Sequence, residues 1–239
     1  MGKLAGMISV VAGGTGTVGE AIVKAFLNEG ATVIVPSRSR EAIVRLRDYL
    51  AEAPADRLTT LVGNIGDVHD AARLRDEVLN RFGPIDGVVA ALGGSWEEKL
   101  KLIDVPMETW RNYWESNLTP HYVAARTFLP VLAGRAGSSY TLLGGLSAVT
   151  AIANYSVVSI NSAAQLMMAK VLMEEMKDAG VRINQVMFGY IKTRARAAYA
   201  RPEWVTAEVV GAFCAYLASP EASMVSGGIL QLGNCPARS

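Results

Sequence analysis

The stretch Ile8-Ser9-Val10-Val11-Ala12-Gly13-Gly14-Thr15-Gly16-Thr17-Val18-Gly19 restricts this chain more than any other. An apolar run ends in glycines, and a helical pattern begins at once with Glu20, Ala21, Ile22, Val23, Lys24, Ala25, Phe26 and Leu27. Strand, glycine turn and helix in that order form the context of a dinucleotide site. The glycines let the backbone turn sharply and approach a pyrophosphate. The helix N-terminus then offers free N–H groups and the positive end of its dipole. The spacing Gly13-x-x-Gly16-x-x-Gly19 is a weak signal alone and gains weight from its place between strand and helix. The cradle is read as Gly13, Thr15, Gly16, Thr17, Val18 and Gly19. The competing reading is a purely structural glycine turn.

Strand and helix patterns alternate from there on. Apolar strands are expected at 31–35, 58–62, 86–93, 138–143, 181–187 and 228–232. Helices are expected at 18–28, 40–52, 67–81, 107–132, 154–179 and 206–218. Strands apolar at nearly every position belong to a parallel sheet covered on both faces, so the fold class is α/β, a doubly wound parallel sheet of Rossmann type in one domain over 1–239. With 239 residues, 51% of them hydrophobic, the chain can build one large core. A net charge of +1 gives no broad electrostatic case for nucleic acid or an anionic membrane as partner. Nothing marks secretion or a membrane span, so the expected location is the cytoplasm. Cys214 and Cys235, with His69 and His121, show no ligand spacing, so no metal is expected, and Cys214 reads as a buried small hydrophobe.

Several segments together resemble the short-chain dehydrogenase/reductase family over nearly the whole chain. They are Ala12-Gly13-x-x-Gly16-x-x-Gly19, Ile85-Asp86-Gly87-Val88-Val89, Trp110 with Glu115-Ser116-Asn117-Leu118, and Gly180-Val181-Arg182-Ile183-Asn184. Gly189-Tyr190-Ile191-Lys192-Thr193, Tyr216-Leu217-Ala218-Ser219-Pro220-Glu221-Ala222 and Val225-Ser226-Gly227-Gly228 complete the set. The glycine spacing is the variant of atypical and extended members, since the commonest pattern has a glycine where this chain has Thr17. The resemblance implies hydride transfer between a nicotinamide and a carbonyl or alcohol.

The choice of nucleotide is argued at the end of the second strand. An NAD-preferring site places an acid there for the ribose 2′-hydroxyl. This chain has Val35-Pro36-Ser37-Arg38-Ser39-Arg40. Arg38 can pair with a 2′-phosphate and Ser37 can donate a hydroxyl, which favours NADP(H) over NAD(H). The alternative is that Arg38 is an ordinary solvated charge. By the resemblance, Asn64 and Ile65 face the adenine, Ala91 and Gly93 border the cofactor, and Thr193 bonds the carboxamide.

The family's proton machinery is where the sequence departs. The resemblance implies a tyrosine, a lysine four residues on, a serine, and an asparagine that holds a relay water. Asn117 matches the asparagine, while the serine, tyrosine and lysine positions fall at Gly145, Val158 and Ser162. Tyr155, three residues early, is a candidate displaced tyrosine, and Ser147 a substitute for the serine. The candidate catalytic residues are thus Asn117, Tyr155, Ser147 and Ser162. The competing readings make Tyr155 a packed helix-start aromatic and Ser147 a loop hydroxyl. A tyrosine without a neighbouring cation is a poor base at neutral pH.

The segment after Thr193 is short, so the site is expected to be open or covered by a partner. Trp96, Phe188, Tyr190, Tyr199 and Trp204 are candidate lining residues for an apolar or aromatic small-molecule substrate, and Arg194 or Arg196 could bind an anionic one. Loss of the family's amides in Ala90-Ala91-Leu92-Gly93 is expected to weaken support for the helix over 107–132. Three functions follow: an NADP-dependent oxidoreductase with altered proton chemistry, a redox-neutral cyclase, isomerase or dehydratase, or a non-catalytic NADP-binding regulatory subunit. The family's dimer face implies a homodimer or homotetramer through the two long helices.

Overall fold

The computed structural model describes residues 2–94 and 99–233. Its elements are β1 (Ile8–Ala12), α1 (Gly19–Asn28), β2 (Thr32–Ser37), α2 (Arg40–Tyr49), β3 (Leu58–Val62), α3 (Val68–Phe82), β4 (Gly87–Ala90), α4 (Met107–Leu132), β5 (Ser139–Gly145), α5 (Ser156–Glu175), β6 (Arg182–Phe188), β7 (Ile191–Lys192), β8 (Val205–Thr206), α6 (Ala207–Ala218) and β9 (Ile229–Leu232). Seven strands form one sheet in the order β3-β2-β1-β4-β5-β6-β9. All of its pairings are parallel. This is the doubly wound α/β sheet the sequence implies.

Side chains alternate across the sheet with the period of two that a strand dictates. Val11, Val33 and Val35 join the core under α1, α2 and α6. Val10, Ala12 and Ile34 join the one under α3, α4 and α5. Phe26 anchors the first core and Phe128 the second, both buried. Each such side chain contributes roughly 1.5–3 kcal/mol over an exposed one.

Local chemistry sets the element ends. Ser39, Asp67 and Thr206 cap α2, α3 and α6 by accepting backbone N–H bonds. Gly30 closes the turn after α1 with φ +92°. The helix expected over 154–179 is shorter, because Asn154 adopts φ +64° and Tyr155 is the N-cap. The parallel pair β7 and β8 was not expected from the sequence, since two-residue strands leave no periodicity to read. By length and composition α5 is apolar enough to cross a membrane. Here it packs against α4, β5 and β6, and leaves Met167 and Val171 exposed.

Candidate functional site

Strand order reverses between β1 and β4, and a cleft of about 500 Å³ opens where the carboxyl ends of the strands diverge. Gly13, Thr15, Gly16, Ser37, Arg38, Asn64, Ile65, Ala91 and Gly93 all line it, with Gly66, Glu115, Ser116 and Pro120. Of the other cradle candidates, Gly19 acts sterically, while Thr17 and Val18 lead into α1 and are not among the lining residues.

The glycines differ in what they do. Gly13 has φ +82°, and a Cβ there would overlap the Ala91 carbonyl. A Cβ on Gly19 would overlap the Gly13 carbonyl, so these two set the close approach of turn, helix and β4. On Gly16 a Cβ would meet only the Gly13 oxygen at 3.2 Å, so its hydrogen atom matters to a ligand more than to the fold. The Val18 N-cap of α1 gives no side-chain cap, unlike the caps of α2, α3 and α6. The first turn of α1 therefore has no side-chain acceptor, and its Glu20 N–H bonds the cleft-lining Gly16 O at 2.8 Å.

At the end of β2, Thr15 and Ser37 share a hydroxyl hydrogen bond at 3.1 Å. Ser37 Oγ accepts from Ser39 N at 3.3 Å. Beside them Arg38 is exposed. After β3, Asn64 Oδ1 accepts from Gly66 N at 3.0 Å, and its backbone N–H donates to Asp70. Among the described residues the Asn64 amide nitrogen has no hydrogen-bond partner.

The loop after β4 is tied to α4 from the helix side. Asn117 Oδ1 accepts from Gly94 N at 2.8 Å, and Asn117 Nδ2 donates to Tyr113 O at 3.0 Å. Gly93, with φ +108°, leaves room for that amide, since a Cβ would lie 2.7 Å from Asn117 Oδ1. One turn on, His121 Nε2 bonds Leu92 O at 3.2 Å, and Gln165 of α5 bridges His121 and Leu143 O. The support expected to be lost with the loop amides is thus supplied by α4. Burial holds His121 down to about 4, so its ring is neutral. The sequence reading missed His121 and Gln165. The i, i+4 spacing of Asn117 and His121 was the available signal.

At the end of β5 the structure brings Ser147 and Ser162 together. Ser147 Oγ donates to Ser162 Oγ at 3.0 Å. The pair sits over Gly145, where a Cβ would lie 3.0 Å from Ser147 Oγ and 3.4 Å from Ser162 Oγ. Tyr155 stands half-buried at the start of α5, its backbone bridging to Leu100. Thr193 is buried, and its Oγ1 has no hydrogen-bond partner among the described residues.

Beyond β6, Tyr190 stacks on Trp204 with centroids 5.0 Å apart, and Tyr199 meets Trp204 edge-on at 6.3 Å, but these rings are not among the residues that line the cleft. Phe188 is partly buried against the core. Trp96 lies outside the described residues, as does Cys235. Cys214 is buried as expected, and burial pushes its thiol up to about 12. Arg194 is not a free anion receptor: it forms a two-point ion pair with Glu20, at 3.2 and 2.9 Å.

The family model described as enoyl-(acyl carrier protein) reductase matches residues 13–233. The chain is 27% identical to the sorbose reductase SOU1 of Candida albicans, covering 94% of this chain and 85% of that one. It is 26% identical to dehydrogenase/reductase SDR family member 6 of Aquarana catesbeiana, over 95% of this chain and 96% of that one. A solved short-chain type dehydrogenase/reductase from Mycobacterium ulcerans superposes with a TM-score of 0.88 at 21% identity, covering 96% of this chain and 89% of that one.

Proposed function

This chain belongs to the short-chain dehydrogenase/reductase family, and we propose that it is an NADP(H)-binding oxidoreductase of that family with non-standard proton chemistry, acting on a small apolar or aromatic substrate. The observation that carries this reading is the Ser147–Ser162 hydroxyl pair over Gly145. Ser162 stands where the resemblance puts the family's lysine, Ser147 lies two residues beyond Gly145, where it puts the serine, and among the described residues neither hydroxyl bonds a cationic side chain.

The residues present fit a phosphorylated dinucleotide. The uncapped first turn of α1 and the backbone of Gly13 and Gly16 can hold the pyrophosphate. Arg38 is free to pair with a 2′-phosphate, with the Thr15–Ser37 hydroxyls beside it. The Asn64 amide and Ile65 border the adenine position, and the orphan Thr193 hydroxyl can serve the carboxamide. When bound, the nicotinamide supplies or takes up the hydride. Ser147 spends its proton on Ser162, which leaves the Ser162 proton to point at a substrate oxygen. The pair orients that oxygen and has no cation to make it a strong base. Tyr155 is a third hydroxyl, at the start of α5, and Asn117 fixes the Gly93-Gly94 backbone beside the cleft. The stacked Tyr190 and Trp204, with Tyr199, support a flat or apolar substrate.

The test is oxidation of NADPH by the purified protein with acceptors that need little acid help: an iminium, an activated enone and a quinone. Loss of the reduced nicotinamide absorbance is the expected result, and silence across a broad panel overturns the reading. The lack of a cation at the hydroxyl pair also favours a second reading, a redox-neutral isomerase, cyclase or dehydratase. Turnover that survives stripping of the nucleotide would select it. Exposed Tyr122 on α4, with Met167 and Val171 on α5, supports a homodimer or homotetramer through these helices. Sedimentation should show more than one subunit, and a monomer at micromolar concentration would overturn that assignment.

A further inference from the structure

Glu20 lies in the first turn of α1 and is almost fully buried. Its carboxylate is met at two points by Arg194, Nε to Oε1 at 3.2 Å and Nη2 to Oε2 at 2.9 Å. The guanidinium also lies over the Tyr49 ring of α2, 5.3 Å from its centroid. Arg194 directly follows Thr193, whose buried hydroxyl has no partner among the described residues. The residues from 194 onward lead through the stacked aromatics to β8 and α6. One ion pair therefore ties the segment after Thr193 to Glu20, whose own N–H bonds the cleft-lining Gly16 O at 2.8 Å.

The electrostatic consequence follows from position. A helix N-terminus attracts anions through its dipole and free N–H groups, and a bare carboxylate in the first turn works against that field. A bidentate guanidinium removes the conflict and also fixes the backbone beside Thr193.

Resting on the dinucleotide reading above, we propose that Arg194 is a positioning residue for the nucleotide. It neutralises Glu20 beside the phosphate end of the cleft and holds the Thr193 hydroxyl in place. The pair also tethers the 194–205 segment to α1.

The experiment measures NADPH binding by calorimetry and proteolysis within 194–205 for four proteins: wild type, Arg194→Ala, Glu20→Gln and the double variant. Arg194→Ala should weaken binding by about tenfold or more, because it leaves a buried carboxylate uncompensated near the phosphates. Glu20→Gln should keep the affinity within about threefold, since it removes the charge conflict together with the pair. It should nonetheless speed cleavage in 194–205, because the tether is lost. The double variant should recover most of the affinity lost in Arg194→Ala, which a merely structural role for Arg194 would not produce. If Arg194→Ala does not fold, Arg194→Gln takes its place, as its amide can still meet one carboxylate oxygen. Wild-type protein that binds NADPH, with Arg194→Ala binding equally well or the double variant failing to recover, overturns this proposal alone. Wild-type protein that binds neither NADPH nor NADH overturns the dinucleotide reading and this proposal with it.

Discussion

The hydroxyls of Ser147 and Ser162 meet at 3.0 Å over the Cα of Gly145, from a turn after β5 and the second turn of α5. Each hydroxyl holds the other in a fixed direction, and the missing side chain at 145 makes room for both. If the pair orients the substrate, Ser162→Ala should lower kcat by about tenfold, the worth of one directed hydrogen bond in the transition state. NADPH affinity should be unchanged, as measured by titration of the apoprotein. Gly145→Ser should act alike, because its Cβ would lie 3.0 Å from Ser147 Oγ and push that hydroxyl aside. Unaltered turnover in both variants would remove the pair from the chemistry.

Gly13 and Gly16 share a motif but answer to different constraints. Gly13→Ala places a side chain at φ +82° against the Ala91 carbonyl. It should cost about 2 kcal/mol or more of stability, seen as a lower thermal midpoint. Gly16→Ala meets only one oxygen, at 3.2 Å, so the midpoint should stay close to wild type. Binding of NADPH should nevertheless weaken, because the methyl group stands where the pyrophosphate must approach. A Gly16→Ala protein with wild-type affinity would displace the pyrophosphate from this turn.

His121 gives the fold a pH dependence of definite sign. Its ring is buried between Leu92 O and Gln165, and burial holds its pKa near 4 against about 6.5 in an unfolded chain. Above pH 6.5 both states are neutral and the histidine contributes no slope. As pH falls from about 6.5 to 4 the unfolded chain takes up a proton that the folded chain refuses, so stability declines through that window. The loss should approach about 3 kcal/mol, read from urea midpoints. His121→Gln should flatten the curve in that window, though it lowers the plateau by disturbing the bonds to Leu92 and Gln165. An equally steep curve in the variant would assign the slope to other groups.

The sheet was legible because buried parallel strands leave continuous apolar runs, as in Val33-Ile34-Val35, and because Gly13 can be read from its place between strand and helix. The cleft residues were legible for the same reason: Ser37, Arg38, Asn64 and Ala91 stand at or just beyond strand ends, where an open α/β sheet binds its ligands. What the sequence did not disclose was partnership between distant segments. Glu20 and Arg194 are separated by 174 positions, and His121 and Gln165 by 44. Neither pair leaves a local pattern. The role of Asn117 was legible as a position only. Its amide ties the Gly93-Gly94 backbone, a bond that depends on a positive φ that no periodicity reports.

Arg38 tests the choice of nucleotide most directly. It follows Ser37 at the end of β2, is exposed, and lines the cleft with no hydrogen bond or ion pair to other described residues. Its removal therefore strands no partner, and Arg38→Ala should leave the thermal midpoint within the usual range of a surface change, about 0.5 kcal/mol. A guanidinium bonded to a 2′-phosphate contributes about 1.5–3 kcal/mol. Arg38→Ala should accordingly weaken NADPH by about tenfold to a hundredfold and leave NADH nearly unaffected. Arg38→Asp should go further, since a carboxylate repels the 2′-phosphate and can accept from a free 2′-hydroxyl, so NADH should bind more tightly than to wild type. Titration of both nucleotides against the three proteins reads the result. Equal losses for NADPH and NADH in Arg38→Ala would make Arg38 a general phosphate contact. No loss for either would return it to an ordinary solvated charge.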